Sequence, residues 1–380
     1  MDDARTNSQM PASAAGEDIQ SSNDMHDTPE DLGRYGEPLR RALVHFQENL
    51  SGSFDTYDRL AIRQQRGHRL IVSVFCVSGS LAVIFSILNI TRLLPLHNDT
   101  AVAEYLAVGL FWGELIAVVL ALFAVFIGIL RAFQERWLVT RHKAESLRFL
   151  KFGALIDPDL LSGNEADFDH WKANLNDEQQ RIRSIDHDSL RERVEEATIP
   201  DGVARPLTKP IADETIRDLV DYYERKRLGP QAKYFFNRGQ GNTRWDWYTK
   251  LLPPSLFFLS VFFAVLHLVH EVWEFFELGR TEYFENWTRP ANKWSILFIV
   301  LAGSLPVVGA GLRGLRSAYE FSRNTLRLRA NHFALELLRD RLRHEKHPER
   351  ILNNLWWSEV LLEAEHREWL RLMIEAEWIG

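Results

Sequence analysis

LIVSVFCVSGSLAVIFSILNI, residues Leu70 to Ile90, is the stretch on which the reading of this chain turns. A helix rises about 1.5 Å per residue, so about 20 apolar residues reach across the roughly 30 Å of hydrocarbon in a bilayer. Three further stretches have similar length and character: Leu106–Leu130, Leu251–His270 and Trp294–Leu312. Buried helices of soluble domains are usually shorter and bordered by an amphipathic pattern, which these four lack. The slightly negative mean hydropathy conceals them, because the remainder of the chain is strongly polar. The expected fold is an all-α membrane protein with four transmembrane helices in two hairpins.

The flanking charges orient these hairpins. Arg59, Arg63, Arg66 and Arg69 precede the first stretch, and Arg131, Arg136, Arg141, Lys143 and Arg148 follow the second. Between the two lie only Arg92, with Asp99 and Glu104 nearby. Positive charge close to spanning ends stays cytoplasmic, so both ends of this hairpin are expected inside. Lys233, Arg238, Arg244 and Lys250, then Arg313, Arg316, Arg323, Arg327 and Arg329, frame the second hairpin in the same sense. Its outer loop is mixed, with Arg280, Arg289 and Lys293 against Glu271, Glu274, Glu277, Glu282 and Glu285. Trp112, Trp245, Trp247, Tyr248, Trp273 and Trp294 fall where an interface belongs. The reading is a multi-pass protein of the inner (plasma) membrane with both termini cytoplasmic.

Pro253 and Pro254 suit the first positions of the third span, which need no amide partner. Pro306, flanked by Gly303 and Gly309, predicts a kink within the fourth.

Outside the spans, residues 1–38 carry few large apolar side chains and read as a disordered acidic tail, with no signal peptide. Residues 39–152 form a first hairpin unit, 153–215 an acidic, partly helical linker, and 216–380 a second hairpin unit. Phe54-Asp55-Thr56-Tyr57-Asp58-Arg59 before one hairpin parallels Val220-Asp221-Tyr222-Tyr223-Glu224-Arg225 before the other, which points to an internal duplication. Each hairpin is followed by an Arg-rich amphipathic helix. Phe133, Trp137, Ala144 and Leu147 recur at helical spacing in the first, and Leu326, Ala330, Phe333 and Leu337 in the second. These two stripes are expected to face one another in a cytoplasmic helical bundle. The net charge of −7 arises largely from the tail and linker and gives no support for nucleic-acid binding. Cys76 is the one cysteine, so neither an intrachain disulfide nor a cysteine metal cluster can form.

The candidate sites are few. Gly309-Ala310-Gly311-Leu312-Arg313-Gly314 spells a dinucleotide fingerprint, but at the end of a membrane helix rather than after a strand. Close helix packing through Gly309 and Gly314 explains it better, and Gly109 and Gly113 invite the same reading. Glu114 is the acidic residue of the second stretch, and an ionisable group inside a bilayer marks a candidate pore or gating position. Two depths remain open for it: well inside a span that begins at Leu106, or at headgroup level if Trp112 marks the interface. His267 and His270 could titrate beside it or pair with it, and Pro306 is a further candidate gating position. Glu359, Glu363, Glu365 and His366 read as the wet face of an amphipathic helix carrying Val360, Leu361, Ala364 and Leu370, rather than as a metal site. Nothing resembles a nucleophile elbow, a phosphate-binding loop or a zinc signature, so the expectation is a non-enzyme without cofactor or metal.

Tyr222-Tyr223-Glu224-Arg225-Lys226-Arg227 ahead of a hairpin, Leu326-Arg327-Leu328-Arg329-Ala330 after it, and Ser358-Glu359-Val360-Leu361-Leu362-Glu363 before Glu368-Trp369 together resemble the SLATT family of two-transmembrane bacterial proteins. Arg141-His142-Lys143-Ala144-Glu145-Ser146-Leu147-Arg148 gives the first hairpin a similar outline. The resemblance covers residues 40–152 and 216–374. It implies a membrane effector of bacterial conflict systems, an oligomer that perforates the bilayer when a cytoplasmic nucleotide-signalling or sensor partner acts. This chain departs from the family pattern in carrying two hairpins and no recognisable sensor domain. A non-conducting scaffold that recruits soluble partners is the alternative, and a small transporter using Glu114 is a third.

Overall fold

The computed structural model describes residues 24–90, 100–131, 133–195, 211–278, 293–319 and 321–375. The regular elements among them are helical. In chain order they are α1 (Pro29–Arg34), α2 (Leu39–Asn49), α3 (Ser51–Ile90), α4 (Thr100–Arg131), α5 (Phe133–Leu155), α6 (Pro158–Leu161), α7 (Glu165–Ser184), α8 (His187–Glu195) and α9 (Asp213–Tyr223). A π turn (Glu224–Leu228) leads into α10 (Gly229–Leu278), followed by α11 (Lys293–Tyr319), α12 (Phe321–His344) and α13 (Pro348–Glu375). They form two compact units. Unit 1 takes the described residues up to Gln65, Gln134–Gly239 and from Leu326 onward; unit 2 takes Arg66–Phe133 and Gln240–Thr325.

Four helical segments are long and apolar enough to cross a bilayer: Ser51–Asn89, Val108–Gly128, Trp247–His270 and Trp294–Gly314. Their large side chains point outward, Leu122 at 65% exposure and Phe258 at 72% among them. Contiguous apolar surface of this extent does not persist in water. The chain is an all-α, multi-pass membrane protein. Its third span departs from expectation in one respect. Pro253 and Pro254 lie inside α10, not at its start, because the polar residues from Gly229 onward extend the same helix. The carbonyls of Thr249 and Lys250 therefore lose their usual amide donors. Pro306 likewise lies inside α11, which is helical on both sides of it. The loops bearing Arg92, Asp99, Arg280, Glu282, Glu285 and Arg289 lie outside the described residues, as does the tail before Asp24.

Unit 1 is where most of the buried core lies. In α2, Leu39, Ala42, Leu43 and Phe46 lie on one helix face, and Leu50 and Phe54 continue the line into α3. Ile216, Leu219, Tyr222 and Tyr223 of α9 join this core, as do Leu352, Leu355, Leu362 and Leu370 of α13.

Three expectations for this unit are corrected. Residues 24–38 are ordered rather than part of a disordered tail: Asp24, Met25, Asp27, Asp31 and Tyr35 are buried. Here Thr28 and Asp31 form a reciprocal capping box at the start of α1. The acidic linker contains α7, whose Phe168, Trp171, Leu175 and Ile182 enter the core. The Trp171 indole donates to the carbonyl of Ala154 at 2.9 Å. The second amphipathic stripe is also on the wrong face. Leu326, Phe333 and Leu337 are exposed, whereas Leu328, Leu335 and Leu342, seven residues apart, are buried. The Trp137 face of α5 meets α13 instead, with the Trp137 and Trp369 rings 5.5 Å apart and the Gln134 amide donating to the carbonyl of Met373.

Candidate functional site

In unit 2, Glu114 projects from α4 and its Oε2 accepts from Asn89 Nδ2 of α3 at 2.6 Å. An amide is the neutral partner that lets a carboxylate sit on an apolar helix. His267 meets the Ser295 hydroxyl, linking α10 to α11 at 3.0 Å.

The glycines show how tightly these helices approach. A methyl at Gly113 would stand 3.2 Å from the Phe85 ring, and one at Gly303 would stand 3.2 Å from Ile87. At Gly309 it would lie 3.4 Å from the carbonyl of Pro253, at Gly311 2.6 Å from the Ser80 hydroxyl, and at Gly314 3.4 Å from Cys76 Sγ. The glycine run of α11 is thus a packing seam against α3 and α10 of the same chain. Gly109 faces open space.

In unit 1 the structure assembles a buried ionic cluster. On α5, Glu145, Arg148 and Lys151 share a face with Trp137, Ala144 and Phe152, so the helix carries its charges inward. Arg148 binds Glu145 at 2.7 Å and Asp24 at 3.0 Å. Lys151 binds Asp27 at 2.8 Å, and Tyr222 donates to the same carboxylate at 2.9 Å.

The π turn supplies the opposing cations. Its widened hydrogen bond runs from the N–H of Gly229 to the carbonyl of Glu224. A Cβ at residue 229 would lie 2.7 Å from that oxygen, which is why glycine stands there. The turn presents three successive basic residues to buried or half-buried carboxylates. Arg225 reaches Asp31 at 2.9 Å, Lys226 reaches Asp31 at 2.7 Å, and Arg227 reaches Glu359 at 2.8 Å.

Burial and pairing pull these groups in opposite directions. Burial raises the carboxyls of Asp24 and Glu359 in spite of the arginines beside them. Burial would raise Glu145 too, but Arg148 and Arg141 outweigh it and hold that carboxyl well below its usual range. Asp31 is likewise held low, its burial overcome by hydrogen bonds from Lys226 and Thr28. Burial depresses Lys151 despite Asp27. Such a cluster is chemically a set of matched charges, able to hold a conformation and to report the loss of any one member.

The presumed wet face of α13 is corrected here. Glu359 and His366 are buried. His366 stacks on His142 of α5, ring centroids 5.5 Å apart, and burial keeps it neutral well below the usual histidine range. Glu365 faces Arg327 at 3.4 Å. A signal for this was present: 352, 355, 359, 362, 366, 370 and 373 follow a three-four spacing, and Glu359 and His366 occupy two of its positions. Among the described residues no group of histidine, cysteine, aspartate and glutamate side chains is arranged to hold a metal.

The two parallel motifs each pair with an arginine of the helix that follows their hairpin. Asp58 pairs with Arg141 at 2.9 Å, and Glu224, its counterpart in the second half, pairs with Arg339. Each joins the helix before a hairpin to the helix after it. No family model, curated protein or solved structure matches the chain.

Proposed function

We propose that this protein is a non-enzymatic, oligomeric effector of the inner membrane, which opens an ion-permeable path when its polar unit receives a cytoplasmic signal in a bacterial defence or conflict system. The observation that carries this reading is the Glu114–Asn89 pair on the first hairpin. A carboxylate in a span is expensive unless it is paired or hydrated, and such groups commonly line ion pathways. Four helices enclose little space, so a hydrated path calls for several copies. The resemblance to SLATT proteins supports the same reading, including a nucleotide-signalling or sensor partner and cytoplasmic termini.

The test is ion flux from liposomes containing the purified protein, beside a membrane-potential dye in cells that overproduce it. Glu114→Gln is expected to insert normally and to reduce cation flux about tenfold or to change cation preference. Flux identical to the parent would remove Glu114 from the path. One observation favours the second reading, a non-conducting scaffold: Gly113, Gly309, Gly311 and Gly314 are used for packing within a single chain. Monomers that never conduct would establish that alternative.

A further inference from the structure

The chain between Asp24 and Tyr35 behaves as a ligand of its own protein. It brings Met25 and Tyr35 as its fully buried apolar side chains, so its attachment is chiefly ionic. Its contacts reach both halves of the duplication at matching positions. His26 binds Asp55 at 2.8 Å, and Tyr35 donates to Asp221 at 2.9 Å. Asp55 and Asp221 are the second residues of the two parallel motifs.

Beneath the segment lie two lysines that depend on it. Lys151 is fully buried, and its oxygen partners are the carbonyl of Asp24 and the carboxylate of Asp27. Lys226 is one-tenth exposed, and its partners are the carbonyl of His26 and the carboxylates of Asp27 and Asp31. Arg148 and Arg227 keep Glu145 and Glu359, but they too share Asp24. If the segment leaves, two buried ammonium groups lose every carboxylate that faces them. A buried charge without a counter-charge is strongly disfavoured, so the vacated surface has to acquire another anion or come apart.

We propose that residues 24–35 form a displaceable acidic strap over a polyanion site built by Arg148, Lys151, Lys226 and Arg227, and that a small phosphate-bearing polyanion competes with the strap for it. Spaced carboxylates are what such a site holds at rest. Phosphate oxygens satisfy the same lysine and arginine donors with higher charge density. The inference deepens the proposed function by giving the cytoplasmic signal a chemical class. It rests on that reading only for its consequence in the spans, since strap and site are tested without conductance.

The experiment is hydrogen exchange on the full chain in detergent, with inorganic pyrophosphate as the probe and chloride at equal ionic strength as the control. Amides of residues 24–35 are expected to exchange at least tenfold faster with millimolar pyrophosphate than with chloride, while α13 stays protected. Asp27→Asn/Asp31→Asn is expected to lower the effective pyrophosphate concentration about tenfold. Where that variant fails to fold, Tyr35→Phe, which removes only the hydroxyl that meets Asp221 and Arg225, is expected to shift it in the same direction by a smaller factor. Equal exchange in pyrophosphate and chloride would overturn the proposal. So would exchange in the strap that rises only together with α13, because the segment would then be an inseparable part of the core.

Discussion

Arg227 and Glu359 are 132 residues apart in the chain and 2.8 Å apart in the fold. Removing one partner of such a buried pair typically costs about 3–5 kcal/mol, whereas replacing both by well-packed apolar groups is often neutral. The ionic cluster is therefore better regarded as a device for specifying one arrangement than as a source of stability. Glu365, at its edge, gives a measurable consequence. Burial raises its carboxyl from 4.5 to about 6, against the pull of Arg327. Between those values the folded chain holds a proton that the unfolded chain has released, so stability falls as pH rises through that window. The shift corresponds to something on the order of 2 kcal/mol. Thermal unfolding in detergent at pH 4.5 and 6.5 is expected to show this fall in the parent and a clearly smaller one in Glu365→Gln. Equal falls in the two proteins would mean that another group sets the slope.

At the scale of elements, α5 and α12 make opposite use of similar stripes. Trp137 is 6% exposed and Phe333 is 72% exposed. Trp137→Asp removes a large buried aromatic and is expected to destabilise unit 1 by at least about 3 kcal/mol. Phe333→Asp is expected to remain within about 0.5 kcal/mol of the parent. Limited proteolysis of the two single variants checks the order, and equal resistance would contradict the packing described for α5. The spans were legible because lipid selects composition over a long window, and no neighbour can override twenty apolar residues. The polar unit was less so, for a physical reason. Periodicity arguments send charge to water, yet α5 and α13 place Glu145, Arg148, Lys151, Glu359 and His366 on their core stripes. Glu145 is neutralised by Arg141 and Arg148 of its own helix, but each of the others has a partner distant in sequence that neutralises or stacks on it. The strap was invisible on the same account, since acidic residues with few apolar neighbours look like solvated chain until the lysines beneath them are located. Of the candidate residues in the spans, Glu114 gains Asn89 as a partner that no motif indicated.

For the whole molecule, the arginine clusters predict that the polar unit lies inside the cell. In a Cys76→Ser background, Asn98→Cys and Glu285→Cys are expected to react with an impermeant maleimide in intact cells, and Asp177→Cys, exposed on α7, only after lysis. Labelling of Asp177→Cys in intact cells would invert the topology. The three chain pieces of unit 1 alternate with the pieces of unit 2. That order has a consequence for biosynthesis. Asp24 emerges from the ribosome before any span, but Arg227 follows the first two spans, and Glu359 follows all four. The polar core can close only after the last span has been translated, so its lysines and carboxylates wait in water while the hairpins insert. Contacts of such long sequence separation form slowly. A message cut short after α11 would deliver four complete spans and no Glu359, leaving an inserted but unclosed protein for the quality-control proteases of the membrane to find.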